Sequence, residues 1–163
     1  MASLSDVLVR QLLDGRYIAA LATQCPSGAI HMVAVWYWFD GAHVFVATSS
    51  RSRKARNLQS DSKISLMIDA RDPVASFGVT IAGTAKILTH EASQKWNAEI
   101  HRKYLSAAAL ADSRVGPVFA AWDDVTIRIT PASVFAWDMR EADRHAFGGA
   151  FANNPAYLLP LER

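Results

Sequence analysis

From Ala29 to Phe39 apolar side chains fill both phases of a strand. Val33, Val35, Tyr37 and Phe39 fall on one face, and Met32, Ala34, Trp36 and Trp38 on the other, because successive strand side chains point to opposite sides. Bulky apolar groups on both faces need cover on both. A core serves one; another layer, a second subunit or a flat ligand must serve the other. Asp40-Gly41 follows as a hairpin turn, since a tight turn needs positive φ and glycine supplies it cheaply. Ala42–Thr48 is the returning strand.

The same reading extends along the chain. Ser3-Leu4-Ser5-Asp6 fits a capping box, and Leu4, Leu8 and Leu12 recur at helical spacing, which predicts a helix ending near Gly15. Tyr17–Thr23 is a strand bounded by the turn cluster Gln24–Gly28. Lys63–Asp69 is another, broken by Arg71-Asp72-Pro73. Phe77–Leu88 is a long strand with Phe77, Val79, Ile81 and Ala85 opposed to Thr80, Thr84 and Lys86, and Gly83 marks a bulge or bend in it. Thr89 can cap a helix to about Leu105, its stripe formed by Trp96, Ile100 and Tyr104. Ser106–Arg114 continues as a second helical piece closed by Gly116-Pro117. Val125–Thr130 alternates as a strand, and Pro131-Ala132-Ser133 leads into a last one, Val134–Trp137. Residues 139–163, with Gly148-Gly149, Asn153-Asn154-Pro155 and Pro160, read as an extended or partly mobile tail.

The fold class is therefore mainly β with inserted helices: a six- to seven-stranded antiparallel barrel, which removes exposed strand edges. Residues 1–163 read as one domain, 1–15 as its N-terminal helix. At 163 residues and 51% hydrophobic content the chain can bury a sizeable core. The apolar run Met32–Phe39 is far short of the ~20 residues of a membrane span. The first residues carry no basic segment followed by an apolar one, so the reading is a cytoplasmic protein with no membrane partner. A single cysteine, Cys25, permits no internal disulfide and no cysteine-based zinc site, and reads as an inert thiol.

Net charge is only +2, so any basic site is local. One such site stands out where the hairpin's second strand runs into Thr48-Ser49-Ser50-Arg51-Ser52-Arg53-Lys54-Ala55-Arg56. Hydroxyls, cations and the free N–H groups of a helix start converge there, a pattern suited to a phosphate. Each charge-assisted hydrogen bond contributes roughly 1.5–3 kcal/mol. The plain alternative is a solvated basic helix face, and for Trp36 and Trp38 it is ordinary core. Other chemistry is thin. His90-Glu91 lacks the second histidine of a helical zinc motif, so no metal site is read. Asp123-Asp124 reads as a solvated turn whose carboxylates point apart. The chain has no Gly-x-Ser-x-Gly and no Gly-x-Gly-x-x-Gly, which argues against a serine hydrolase and a Rossmann site.

Several of these residues together resemble a known family. Gly28-Ala29-Ile30-His31, Trp36 with Asp40-Gly41, Ser52-Arg53-Lys54-Ala55-Arg56-Asn57-Leu58 and Asp61 before a strand are similar to the pyridoxamine 5′-phosphate oxidase-like, FMN-binding split-barrel family. The ending Ile129-Thr130-Pro131…Val134-Phe135-Ala136-Trp137-Asp138 resembles its deazaflavin-using branch. The likeness spans roughly residues 10–138 in matching order. It implies a split barrel, a homodimer with flavin at the subunit interface, and a flavin-dependent oxidoreductase acting on a small-molecule substrate or electron donor. It also implies site residues: Ser52, Arg53, Lys54 and Arg56 on the phosphate with Thr48 or Ser49 assisting, the backbone from Val33 through Val35 to Trp36 along the ring edge, and Trp137 in the ring pocket. The cofactor implied is FMN, with coenzyme F420 as the alternative. No catalytic acid or base stands out. The residues after Trp137 depart from pyridoxamine 5′-phosphate oxidase itself, so vitamin B6 is not carried over as substrate. Two rival classes stay open at this point: a carrier of flavin or haem without turnover, and a nucleic-acid binder using Arg51–Arg56. The resemblance favours no nucleic-acid partner.

Overall fold

The structure is a computed structural model, and it describes residues 2–71 and 76–160. In chain order come α1 (Val7–Asp14), β1 (Ala19–Gln24), β2 (Ile30–Val35), β3 (Trp38–Phe39), β4 (Val44–Thr48), α2 (Arg53–Ser60), β5 (Lys63–Ala70) and β6 (Phe77–Leu88). Then follow α3 (His90–Tyr104), α4 (Ala107–Ala111), α5 (Gly116–Trp122), β7 (Val125–Asp138), α6 (Met139–Phe147), α7 (Ala150–Asn153) and a 3-10 turn, Pro155–Tyr157. The break expected at Arg71-Asp72-Pro73 falls largely outside the described residues.

The strands form one antiparallel sheet in the order β2-β1-β5-β6-β7-β4-β3. β2 and β3 therefore lie at opposite edges, yet only Trp36-Tyr37 separates them in sequence. The three Cα steps from Val35 to Trp38 span at most about 11 Å, so the sheet has to curl until its edges meet. The result is a split barrel, as the sequence predicted, and the single strand expected over Ala29–Phe39 is divided at the split.

The alternation of that segment is preserved across the break. Val35, Tyr37 and Phe39 are buried in the barrel core with Leu21, Val44, Val46, Leu66, Ile68, Val79, Ile81, Ile127 and Ile129. α1 adds Val9, Leu12 and Leu13 to the same core. The Tyr37 hydroxyl donates to the carbonyls of Leu12 and Gly15, which fastens α1 to the split. The hairpin is closed at Gly41 (φ 102°), with the Asp40 carboxylate accepting from the N–H groups of Ala42 and His43.

Three sequence expectations are corrected. The last strands are one element, β7, and the register slips opposite Ala82 and Gly83, so Pro131–Ser133 is a bulge and not a connection. Gly116-Pro117 opens α5 and closes nothing: proline lacks the N–H that the first helical turn leaves unused. From Met139 to Tyr157 the tail is a run of short helices and not an extended segment. Asp138 caps α6 through the Arg140 N–H, and the Asp143 carboxylate accepts from the N–H groups of Phe151 and Ala152 at the start of α7. Its glycines and prolines punctuate short helices.

Candidate functional site

α3 lies outside the barrel over β4 and β7, with α4 and α5 packed against it, and a cleft of about 290 Å³ opens between this layer and the sheet. Its floor is Ile18, Ala34, Val35, Trp36 and Ala47; Thr48 and Lys54 stand at one side, and Ile100, Phe119 and Asp123 come from the helical layer. Of the outward phase of the strand at the split, Ala34 and Trp36 border this cleft, and the helical layer supplies part of the cover their apolarity calls for. Ala34 and Ala47 put only methyl groups on that floor. Trp36 already stacks with Tyr104 at 5.0 Å and with Phe119 at 5.4 Å.

The strand-to-helix junction is ordered by its own hydrogen bonds. The Ser52 hydroxyl caps α2, accepting from the Ala55 N–H, and receives a bond from the Thr48 hydroxyl at 3.1 Å. Asp124 holds Ser50 by both N–H and hydroxyl at 2.6 Å, and those bonds keep its carboxyl below its ordinary pKa. Ser49 accepts from the Arg51 N–H. The Arg56 guanidinium donates to the Arg51 carbonyl at 2.6 Å, which stiffens the loop. Ser52's cap leaves the N–H groups of Arg53 and Lys54 without a protein acceptor among the described residues.

Lys54 differs from the other cations there. Arg51, Arg53 and Arg56 are exposed, whereas Lys54 is half buried and lines the cleft. Burial lowers its pKa, with Asp123 partly opposing the shift. Among the described residues it has no ion-pair partner within 4 Å. A half-buried ammonium beside free helix N–H groups suits a phosphorylated ligand.

The predicted residues are brought together in part. Val35, Trp36, Thr48 and Lys54 line this cleft; Ser49 and Ser52 shape the loop beside it; Arg53 and Arg56 stand on the exposed side of α2. Val33 points its side chain to the core and lines a neighbouring groove of about 760 Å³, which shares Ile18 and Ala34 with the cleft. Trp137 is elsewhere. It covers Gly78 on the outer face of β6, where a Cβ would collide with the indole.

Sequence reasoning missed Asp123 and the buried polar face of α3. The expected stripe was Trp96, Ile100 and Tyr104, but the buried face is Ser93, Asn97, Ile100 and His101, with Trp96 stacked on Phe45 at its margin. Asn97 donates to the Asp123 carbonyl at 2.6 Å and accepts from the Thr126 hydroxyl at 2.6 Å. His101 Nε2 meets the Asp123 carboxylate at 2.8 Å. Asp123 and Asp124 do point apart, but each has a partner. The signal available was the small polar pair Ser93 and Asn97, one helical turn apart and facing Thr126.

Comparison with known proteins places this architecture. No curated protein sequence matches the chain. Among solved structures, a conserved hypothetical protein from Mycobacterium tuberculosis superposes with a TM-score of 0.70 at 24% identity, over 87% of this chain and 88% of that one. An F420 reductase superposes at 0.60 with 19% identity, over 77% and 94%. HutZ, the haem storage protein from Vibrio cholerae, superposes at 0.61 with 18% identity, over 78% and 90%. These likenesses establish the fold. Residues 7–138 match the family model described as pyridoxamine 5′-phosphate oxidase. The chain belongs to the pyridoxamine 5′-phosphate oxidase family.

Proposed function

We propose that the cleft binds a phosphorylated flavin-type cofactor, FMN in the first instance, and that the chain works as a cytoplasmic flavin-dependent oxidoreductase. One observation carries this reading: an apolar floor with small side chains and an unpaired, half-buried Lys54 beside a helix N-terminus lie in one cleft. The apolar floor suits an isoalloxazine ring, and Lys54 with the N–H groups of Arg53 and Lys54 suits its phosphate. Bound there, a flavin would supply hydride or electron transfer, while the protein binds, orients and shields it. Haem suits the cleft less well. None of the described residues lining it is a His, Cys, Met or Tyr, the side chains that ligate haem iron.

At about 290 Å³ the cleft lies just below the usual ~300–1,000 Å³ of ligand sites, so one chain would cover only part of a cofactor. The outer sheet face presents exposed apolar side chains, Ile30 and Met32 on β2 and Phe135 on β7, each more than 60% exposed. A second copy seated on that face would close the site and cover the patch. It would also give Trp137 a role, because its place on the same outer face lets it serve the partner's cleft.

Coenzyme F420 is the second reading, favoured by the Thr130-Pro131…Trp137-Asp138 ending and by the superposition on an F420 reductase. Titration of the protein with FMN and with F420, followed by quenching of tryptophan emission, tests both. Anaerobic reduction of the loaded protein by a nicotinamide donor, then reoxidation by an acceptor, tests turnover. Failure to bind either cofactor would overturn the reading. Binding without reduction would leave a carrier and refute the enzyme.

A further inference from the structure

The Asp123 carboxylate faces the cleft that holds Lys54, and it is held there from two sides. His101, whose side chain is only 7% exposed, bonds one carboxylate oxygen through Nε2 at 2.8 Å. Asn97 clamps the Asp123 carbonyl at 2.6 Å, and Asn97 is itself fixed by Ser93 at 3.2 Å and by Thr126 at 2.6 Å. This network runs through the buried face of α3 into β7, so the position of the carboxylate is set before any ligand arrives.

A carboxylate is an awkward neighbour for a phosphate. It repels the anion and weakens the pull of Lys54, so an anion site alone gives it no use. What an ionised carboxylate can do is accept hydrogen bonds, and only accept them. The His101 bond occupies one oxygen and leaves acceptor capacity on the other. Its natural complement is a ligand group bearing hydroxyl donors, held in the cleft that Asp123 lines together with the apolar floor and Lys54.

Resting on the proposed cofactor reading, we infer that Asp123 is a specificity-determining residue that accepts hydrogen bonds from the polyol chain of the ligand, with His101 and Asn97 as its positioning residues. The ligand class that follows is a planar ring joined to a phosphate through a hydroxylated chain. A planar dicarboxylate without hydroxyls would meet Asp123 with like charge and be disfavoured.

The test uses three probes on the full chain: lumichrome, which has the ring only; riboflavin, which adds the polyol; and FMN, which adds the phosphate. Asp123→Ala should weaken riboflavin about tenfold or more, the loss of a charge-assisted hydrogen bond, and leave lumichrome unchanged. FMN should lose less than riboflavin, because removing the carboxylate also relieves its repulsion of the phosphate. Asp123→Asn keeps the shape and an acceptor for His101, so it should show the same order with smaller losses even if the alanine variant fails to fold. Equal losses for lumichrome and riboflavin, or no loss of riboflavin, would overturn the inference while leaving the cofactor reading intact. Absence of all flavin binding by the unaltered protein would overturn both.

Discussion

Lys54→Met separates the anion site from ordinary surface charge. Burial without an ion-pair partner lowers the Lys54 pKa, so the charged form is penalised in the folded protein and methionine removes that penalty. The apo protein should therefore melt at the same temperature or higher. If Lys54 holds the phosphate, losing one charge-assisted hydrogen bond costs about 1.5–3 kcal/mol. That corresponds to FMN binding weaker by about 10- to 100-fold, at 1.4 kcal/mol per factor of ten. Riboflavin lacks the phosphate and should be almost unaffected. Quenching of the tryptophans, with Trp36 in the floor of the cleft, reads both titrations. Unchanged FMN affinity in a folded variant would refute the phosphate assignment. An equal loss for riboflavin would refute it too, by showing that Lys54 touches the ring or the chain. Arg56 is the poorer choice, because its guanidinium braces the Arg51 carbonyl and its removal would disturb the loop.

Met32→Glu places a charge in the exposed apolar face and should turn a homodimer into a monomer, read by sedimentation equilibrium; a monomeric parent protein would refute the dimer outright. Gly78→Ala should displace the Trp137 indole at a cost of about 1–3 kcal/mol, the usual penalty of overpacking, seen as a lower melting temperature and an altered near-ultraviolet signal. Burial pushes the Lys103 amine down to about 8, with Asp14 opposing and Arg16 reinforcing the shift. Between that value and its ordinary one the unfolded chain holds more protons than the folded chain, so this lysine makes stability rise with pH above about 8. Lys103→Met should flatten that rise in urea unfolding at pH 7.5–9.5. That range stays below the pH at which the unfolded tyrosines ionise, because Tyr104, raised by burial to about 12, would pull stability the other way.

The strands were legible because their information is local. Alternation over Phe77–Leu88 predicted β6 to the residue, and Asp40-Gly41 predicted the hairpin. Less legible was what depends on pairing partners far away in sequence. The split at Trp36-Tyr37 leaves no mark on the alternation, since Val35, Tyr37 and Phe39 keep one phase on both sides of it. It exists because β2 pairs with β1 while β3 pairs with β4. Pro131 likewise reads as a stop, but its missing N–H costs little at a bulge, so β7 continues through it.

The site shows the same division. Lys54 and the caps of α2 are neighbours in sequence, so their chemistry could be read directly. Asp123 could not be read, because its meaning comes from α3. Two adjacent aspartates before a strand are solvated turns unless something folds over them, and here His101 reaches one while Ser50 reaches the other. That cover was misjudged for a physical reason: α3 was expected to bury its aromatic stripe, the usual outcome for an amphipathic helix. Instead it buries Ser93, Asn97 and His101, whose polar groups are satisfied by Thr126 and Asp123, while Trp96 and Tyr104 flank that face and stack on Phe45 and Trp36. A helix that spends its buried face on hydrogen bonds loses apolar burial, and the network it gains is costly to leave half made. Its result is a carboxylate fixed in a cleft.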